Sequence, residues 1–161
     1  MTESINDQIC KASLAGDMNE VKRLMFKGSD IDTKDSLGWT PLLYACNNNH
    51  MEIVKLLLDG GAKITSESYS GWSPIVLVNS NGNIELVKLL LEYSADINVF
   101  TNTRISRLEH QKKIWSDESI QELIINKQPH NIKFLDVKVG LLPSLREKYK
   151  EIIELSQMGL F

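Results

Sequence analysis

Apolar residues recur along the chain at spacings of three and four, in short runs broken by polar turns. That spacing puts them on one face of a helix. It predicts helices over 5–14, 18–26, 41–48, 51–59, 74–81 and 84–92. The pattern also repeats. Adding 33 to Gly38-Trp39-Thr40-Pro41-Leu42 gives Gly71-Trp72-Ser73-Pro74-Ile75, and adding 33 to Glu52-Ile53-Val54-Lys55-Leu56-Leu57-Leu58 gives Glu85-Leu86-Val87-Lys88-Leu89-Leu90-Leu91. A period of this length marks stacked repeats. Three registers of the second helix carry it: Val21, Val54, Val87 and Ile120, then Leu24, Leu57, Leu90 and Leu123, then Met25, Leu58, Leu91 and Ile124. In the first helix, Ile9, Leu42, Ile75 and Leu108 face inward, and Ala12, Ala45 and Val78 allow close packing, where the fourth unit has Gln111.

The polar positions punctuate the same period. Asp7, Thr40, Ser73 and Ser106 share a register and are residues that cap helix starts. Pro41 and Pro74 follow two of them, at the first helical position, where proline loses nothing. Gly16, Asn49 and Gly82 occupy the turn between the paired helices and tolerate positive φ. Asp17, His50 and Asn83 come next as caps of the second helix. Gly28 and Gly61 end that helix; Ser94 and Lys127 hold the position later, predicting looser ends. Each unit is thus two short antiparallel helices that bury their stripes only against neighbours.

The fourth unit is worn. Ser106-Arg107-Leu108-Glu109 fits a capping box and predicts a helix near 107–114. Beyond Pro129, residues 132–139 fit a helix or an alternating strand, with helix favoured. Ser144-Leu145-Arg146-Glu147 fits a second capping box, opening a helix to about Gln157. The register fails at Ser156 and Gln157, so this segment is read as a C-terminal cap.

Gly38-Trp39-Thr40-Pro41-Leu42, with Ala45, His50, Val54, Leu57-Leu58 and Gly61-Ala62, resembles an ankyrin repeat. The resemblance is highly specific over 35–98 and good over 5–32, which lack the Thr-Pro pair. Leu43 and Val76 stand where the family has a histidine. The resemblance implies an all-α ankyrin-repeat solenoid: helix-turn-helix units at about 5–32, 35–65, 68–98 and a degenerate 101–128, joined by β-hairpin-like fingers, then a helical C-terminal capping segment over 129–161.

Composition changes this picture little. The chain has 161 residues, 42% hydrophobic and 24% charged, as in an ordinary globular domain. A net charge of −3 gives no case for nucleic acid. No apolar run approaches the roughly 20 residues of a membrane span, and the first residues lack a signal's apolar core. Cys10 and Cys46 have no metal-ligand spacing, which points to a reduced intracellular compartment, cytoplasmic or nuclear. No phosphate loop, zinc-ligand pair or catalytic triad is visible, so no enzyme, cofactor, metal or small-molecule substrate is expected. His50, His110 and His130 read as structural or surface residues, and the cysteines as packing.

The remaining signal is an aromatic stripe. Trp39 and Trp72 precede the caps, Leu37 and Tyr69 flank the fingers, and Tyr44 and Leu77 share a first-helix register. In the family these positions line the concave face that grips another protein. Aromatic residues dominate such interfaces, and Tyr44 has no evident core task. Asn47, Asn48, Ser80 and Asn81 would add polar contacts at the rim. The competing reading of the tryptophans is that they brace neighbouring fingers. An alternative function is a ubiquitin-ligase substrate adaptor with a divergent SOCS-box- or F-box-like C-terminal segment. Leu142-Pro143-Ser144-Leu145-Arg146-Glu147-Lys148-Tyr149 is similar to part of a SOCS box, although its leucine falls one residue early and the upstream Leu-and-Cys helix is missing.

Overall fold

The computed structural model describes residues 2–93, 114, 116–127, 129 and 140–160. The helices found there are α1 (Ile5–Ala15), α2 (Met18–Phe26), α3 (Pro41–Asn47), α4 (Met51–Asp59), α5 (Pro74–Ser80), α6 (Ile84–Glu92), α7 (Glu118–Lys127), α8 (Pro143–Lys148) and α9 (Lys150–Gln157). No strand occurs among the described residues. The predicted helices at 107–114 and 132–139, with Ser94, Ser106 and Gln111, lie outside them, apart from Ile114, which is helical and fully buried.

Three helix pairs stack in order. α1 packs on α2 and α3, α3 on α4 and α5, and α5 on α6, while α6 packs on α7. One continuous core runs through all of them: Val21, Leu24, Val54, Leu57, Val87, Leu90 and Ile120 are fully buried. Leu58 is 7% exposed. The turn residues Gly16, Asn49 and Gly82 take φ of 79°, 57° and 70°, which the αL turn requires. Leu43 and Val76, in the family's histidine position, are buried apolar residues that extend the core.

Several caps depart from the pattern. Helix α1 is capped by Ser4, whose Oγ accepts the Asp7 amide at 3.0 Å, so Asp7 lies inside the first turn. Thr40, Asp17 and Asn83 cap as the sequence predicts. Ser73 sits at the cap position of α5 but makes no capping bond, and its Oγ is buried without a partner. His50 does not cap α4; its ring Nε2 reaches back 3.1 Å to the Leu14 carbonyl and ties unit two to unit one. The turn is close there: a Cβ on Gly16 would come 2.7 Å from the His50 ring.

The C-terminal region also differs from expectation. The second capping box does not form. The helix starts at Pro143 after Leu142, and Ser144 Oγ donates to Glu118 Oε1 at 2.8 Å. Helices α8 and α9 are separate, because Tyr149 (φ −112°, ψ 27°) leaves helical geometry between them. Buried Gln121 fixes this region to α7, donating from Nε2 to the Gly140 carbonyl at 3.2 Å and accepting the Leu142 amide at 3.1 Å. Leu141, Leu145 and Ile153 join the common core.

Candidate functional site

The fingers between units are tight hydrogen-bonded turns. In unit two, Asp35 organises the tip. Its Oδ1 accepts the amides of Leu37 and Trp39, both at 2.9 Å. Its own amide donates to the Trp39 carbonyl, and the Gly38 amide donates to the Asp35 carbonyl, each at 3.0 Å. Its other carboxylate oxygen accepts the Tyr44 hydroxyl from α3. The Tyr44 ring lies 5.1 Å from that of Trp39, tilted by 35°. Burial pushes the Asp35 carboxyl up, but the Tyr44 hydroxyl and the amides of Trp39, Leu37 and Gly38 outweigh it and hold the group below its ordinary range. Burial, and then Asp35 itself, push the Tyr44 phenol up. Tyr44 therefore has the structural task that the sequence did not reveal. It clamps the finger to the helix behind it.

In unit three the same turn is built with less. Ser68, in register with Asp35, accepts the Trp72 amide at 3.1 Å; its amide donates to the Trp72 carbonyl at 2.9 Å. Leu77, in register with Tyr44, is 4% exposed and belongs to the core, so it offers no contact surface. The two fingers are joined: the Tyr69 amide donates to the Leu37 carbonyl at 3.2 Å. Tyr69 lies against Gly38, where an added Cβ would meet its amide nitrogen at 2.7 Å. Lys34 Nζ sits 5.6 Å over the Tyr69 ring and donates to the Glu67 carbonyl at 2.8 Å.

This construction leaves large apolar side chains in water. Leu37 is 62% exposed, Tyr69 72% and Trp72 38%, whereas Trp39 is half-buried. Neighbouring apolar residues in the open are the kind of feature that marks interaction surfaces. Of the expected rim residues, Asn47 is exposed. Asn48 Nδ2 donates to the Tyr44 carbonyl, Ser80 Oγ to the Val76 carbonyl, and Asn81 Nδ2 to the carbonyls of Cys46 and Asn47. One residue escaped the sequence reading: Leu14, 47% exposed, shares its register with Asn47 and Ser80. The 33-residue period alone places it on that row, but its polar counterparts hid the signal.

Burial, followed by Asp35 and Asp7, pushes the Cys10 thiol up to about 12, and burial also pushes Cys46 up, so neither offers a thiolate near neutral pH. No group of His, Cys, Asp and Glu among the described residues could hold a metal ion. No helix there is long and apolar enough to cross a membrane.

A family model of ankyrin repeats, in three copies, matches residues 9–101, more than half of the chain. The chain is also similar to ankyrin repeat, SAM and basic leucine zipper domain-containing protein 1. The form from Atelerix albiventris is 40% identical over 52 residues, which are 32% of this chain and 11% of that protein. The form from Dasypus novemcinctus is 38% identical over a stretch of the same length and coverage. The aligned stretch is thus about a tenth of the relatives' length. Ankyrin repeats are generally protein–protein interaction modules, typically without enzymatic activity. With three stacked helix pairs and a family match over most of the repeat region, the chain belongs to the ankyrin-repeat family.

Proposed function

We propose that this chain holds another protein against its fingers and the adjoining inner row of first helices, the concave face in this family. The supporting observation is the exposed apolar group Leu37, Tyr69 and Trp72, carried on two fingers joined by a backbone hydrogen bond. Rigid aromatic side chains give large contact area at low entropic cost. Asn47 and Leu14 extend the surface along the first helices, and Asn48, Ser80 and Asn81 stand at its rim. Trp39 and Tyr44 act from behind, by fixing the finger. By this reading the repeats run to about residue 128 and the capping segment is 129–161, of which Leu141, Leu145 and Ile153 join the common core. The SOCS-box-like segment gains no support, because Leu145 is buried in the core and the Tyr149 hydroxyl bonds to Glu122 and Asn126.

The test is affinity capture with the full chain, followed by titration of the captured protein against wild type and against Tyr69→Ala with Trp72→Ala. Hot-spot truncations of this kind cost about 2 kcal/mol or more, so binding should weaken at least about thirtyfold. Unchanged affinity in a folded double variant removes this reading.

A further inference from the structure

The chain contains two dipeptides that close readily to a five-membered succinimide, Asp59-Gly60 and Asn81-Gly82; every other asparagine is followed by a residue with a side chain. Both lie on the seam between units two and three, and each contributes a bond across it. Asp59 Oδ1, at the end of α4, accepts the hydroxyl of Tyr93, which follows α6. At the other end of the helices, Asn81 Nδ2 donates to the carbonyls of Cys46 at 3.2 Å and Asn47 at 2.9 Å. Asn83 adds another bond, from Nδ2 to Asn49 Oδ1 at 3.2 Å.

We propose that Asn81 is a deamidation site whose chemistry the folded seam holds in check, and whose conversion removes one of the ties between units two and three. In the reaction the Gly82 amide loses its proton to solvent base, and its nitrogen attacks Asn81 Cγ. The Cγ–Nδ2 bond breaks, ammonia leaves, and the succinimide forms. Water then opens the ring at either carbonyl, leaving aspartate or isoaspartate, with no change of oxidation state. Glycine at 82 removes the steric barrier to attack.

Three features of the fold oppose the ring closure. Asn81 has φ −76° and ψ −13°, and the helical ψ keeps the Gly82 nitrogen off Cγ. The Gly82 amide is engaged with the Asn79 carbonyl at 3.1 Å. The side-chain amide is anchored at both carbonyls of unit two. Reaction therefore requires local opening of the seam, and such openings have their own free energies within a fold. The product cannot restore the link. A carboxylate has no N–H to donate, and it would face two carbonyl oxygens at hydrogen-bond distance. A converted seam would be weaker and would carry new negative charge at the rim. This inference stands apart from the partner-binding reading and needs no partner.

Peptide mapping by mass spectrometry would follow conversion in the full chain at mildly alkaline pH, folded and in urea. In urea, the peptide holding Asn81 should convert before any other asparagine peptide. In the folded chain its conversion should be at least about tenfold slower, as for a site reached through local opening. Asn81→Asp, which mimics the product, should melt earlier than wild type, and an aged sample should shift the same way. Equal rates in the two states would overturn the protection. Prior conversion of another asparagine in urea would overturn the site. An Asn81→Asp variant that melts with wild type would overturn the role of the link.

Discussion

The fingers of units two and three occupy equivalent positions and close with the same backbone bond, yet they are held differently. Finger two rests on a carboxylate with three side-chain-level bonds, one of them to a tyrosine on the helix behind. Finger three rests on a serine hydroxyl with one, and the helix behind presents a buried leucine. The difference teaches that a repeat conserves the turn while allowing its stiffness to vary. Trp39, braced by Tyr44, is half-buried; Trp72, without that brace, is more exposed. Finger two is thus held by more side-chain bonds than finger three.

The sharpest way to test this contrast is at the two tip glycines. Gly38 (φ 77°) has Tyr69 against it, whereas Gly71 (φ 81°) has no neighbour within 4 Å of an added Cβ. Gly38→Ala should cost about 3 kcal/mol or more, from strain plus the clash, and Gly71→Ala about 1–2 kcal/mol, from strain alone. Urea denaturation of both variants measures the gap; equal losses would mean that finger three does not lean on finger two.

Next comes the hinge of each turn. Asp35→Ala removes bonds to a charged acceptor and should cost about 1.5–3 kcal/mol, against about 0.5–1.5 kcal/mol for Ser68→Ala. Tyr44→Phe keeps the ring beside Trp39 but removes the hydroxyl, so a loss near about 1 kcal/mol is expected, with amide exchange at Leu37 and Trp39 speeding up.

The smallest effect should appear in acid. The folded Asp35 carboxyl lies below its ordinary value, so the unfolded chain takes up its proton first as pH falls. The stabilisation is fully present above the unfolded carboxylate pKa, about 3.9, and is lost as pH drops through the folded value. Melting midpoints followed downward from pH 6 should fall more steeply for wild type than for Asp35→Asn. Parallel curves would show that the clamp contributes nothing to the acid response.

Much of this molecule was legible before any coordinates. The registers of Val54, Leu57 and Leu58 alone placed three helix pairs, because a short helix must bury its stripe and identical stripes at a fixed period stack. The glycine and asparagine turns were legible for the same local reason. The candidate surface was legible only in outline. Leu37, Tyr69 and Trp72 are in the open, but Leu77 is not, since periodicity ranks positions without saying how deep each sits. Ser144 looked like a cap and instead bonds to Glu118, twenty-six residues away, and His50 reaches Leu14 across thirty-six. The sequence by itself determined the repeat, its helices and its turns, all of which depend on neighbours within about one turn of helix. Only the tertiary structure decided that Tyr44 clamps Asp35, that Tyr69 rests on Gly38 and that Asn81 ties two units. The first is chosen by how a finger folds back on its own helix and the other two by the distance between stacked units, quantities that no local pattern encodes.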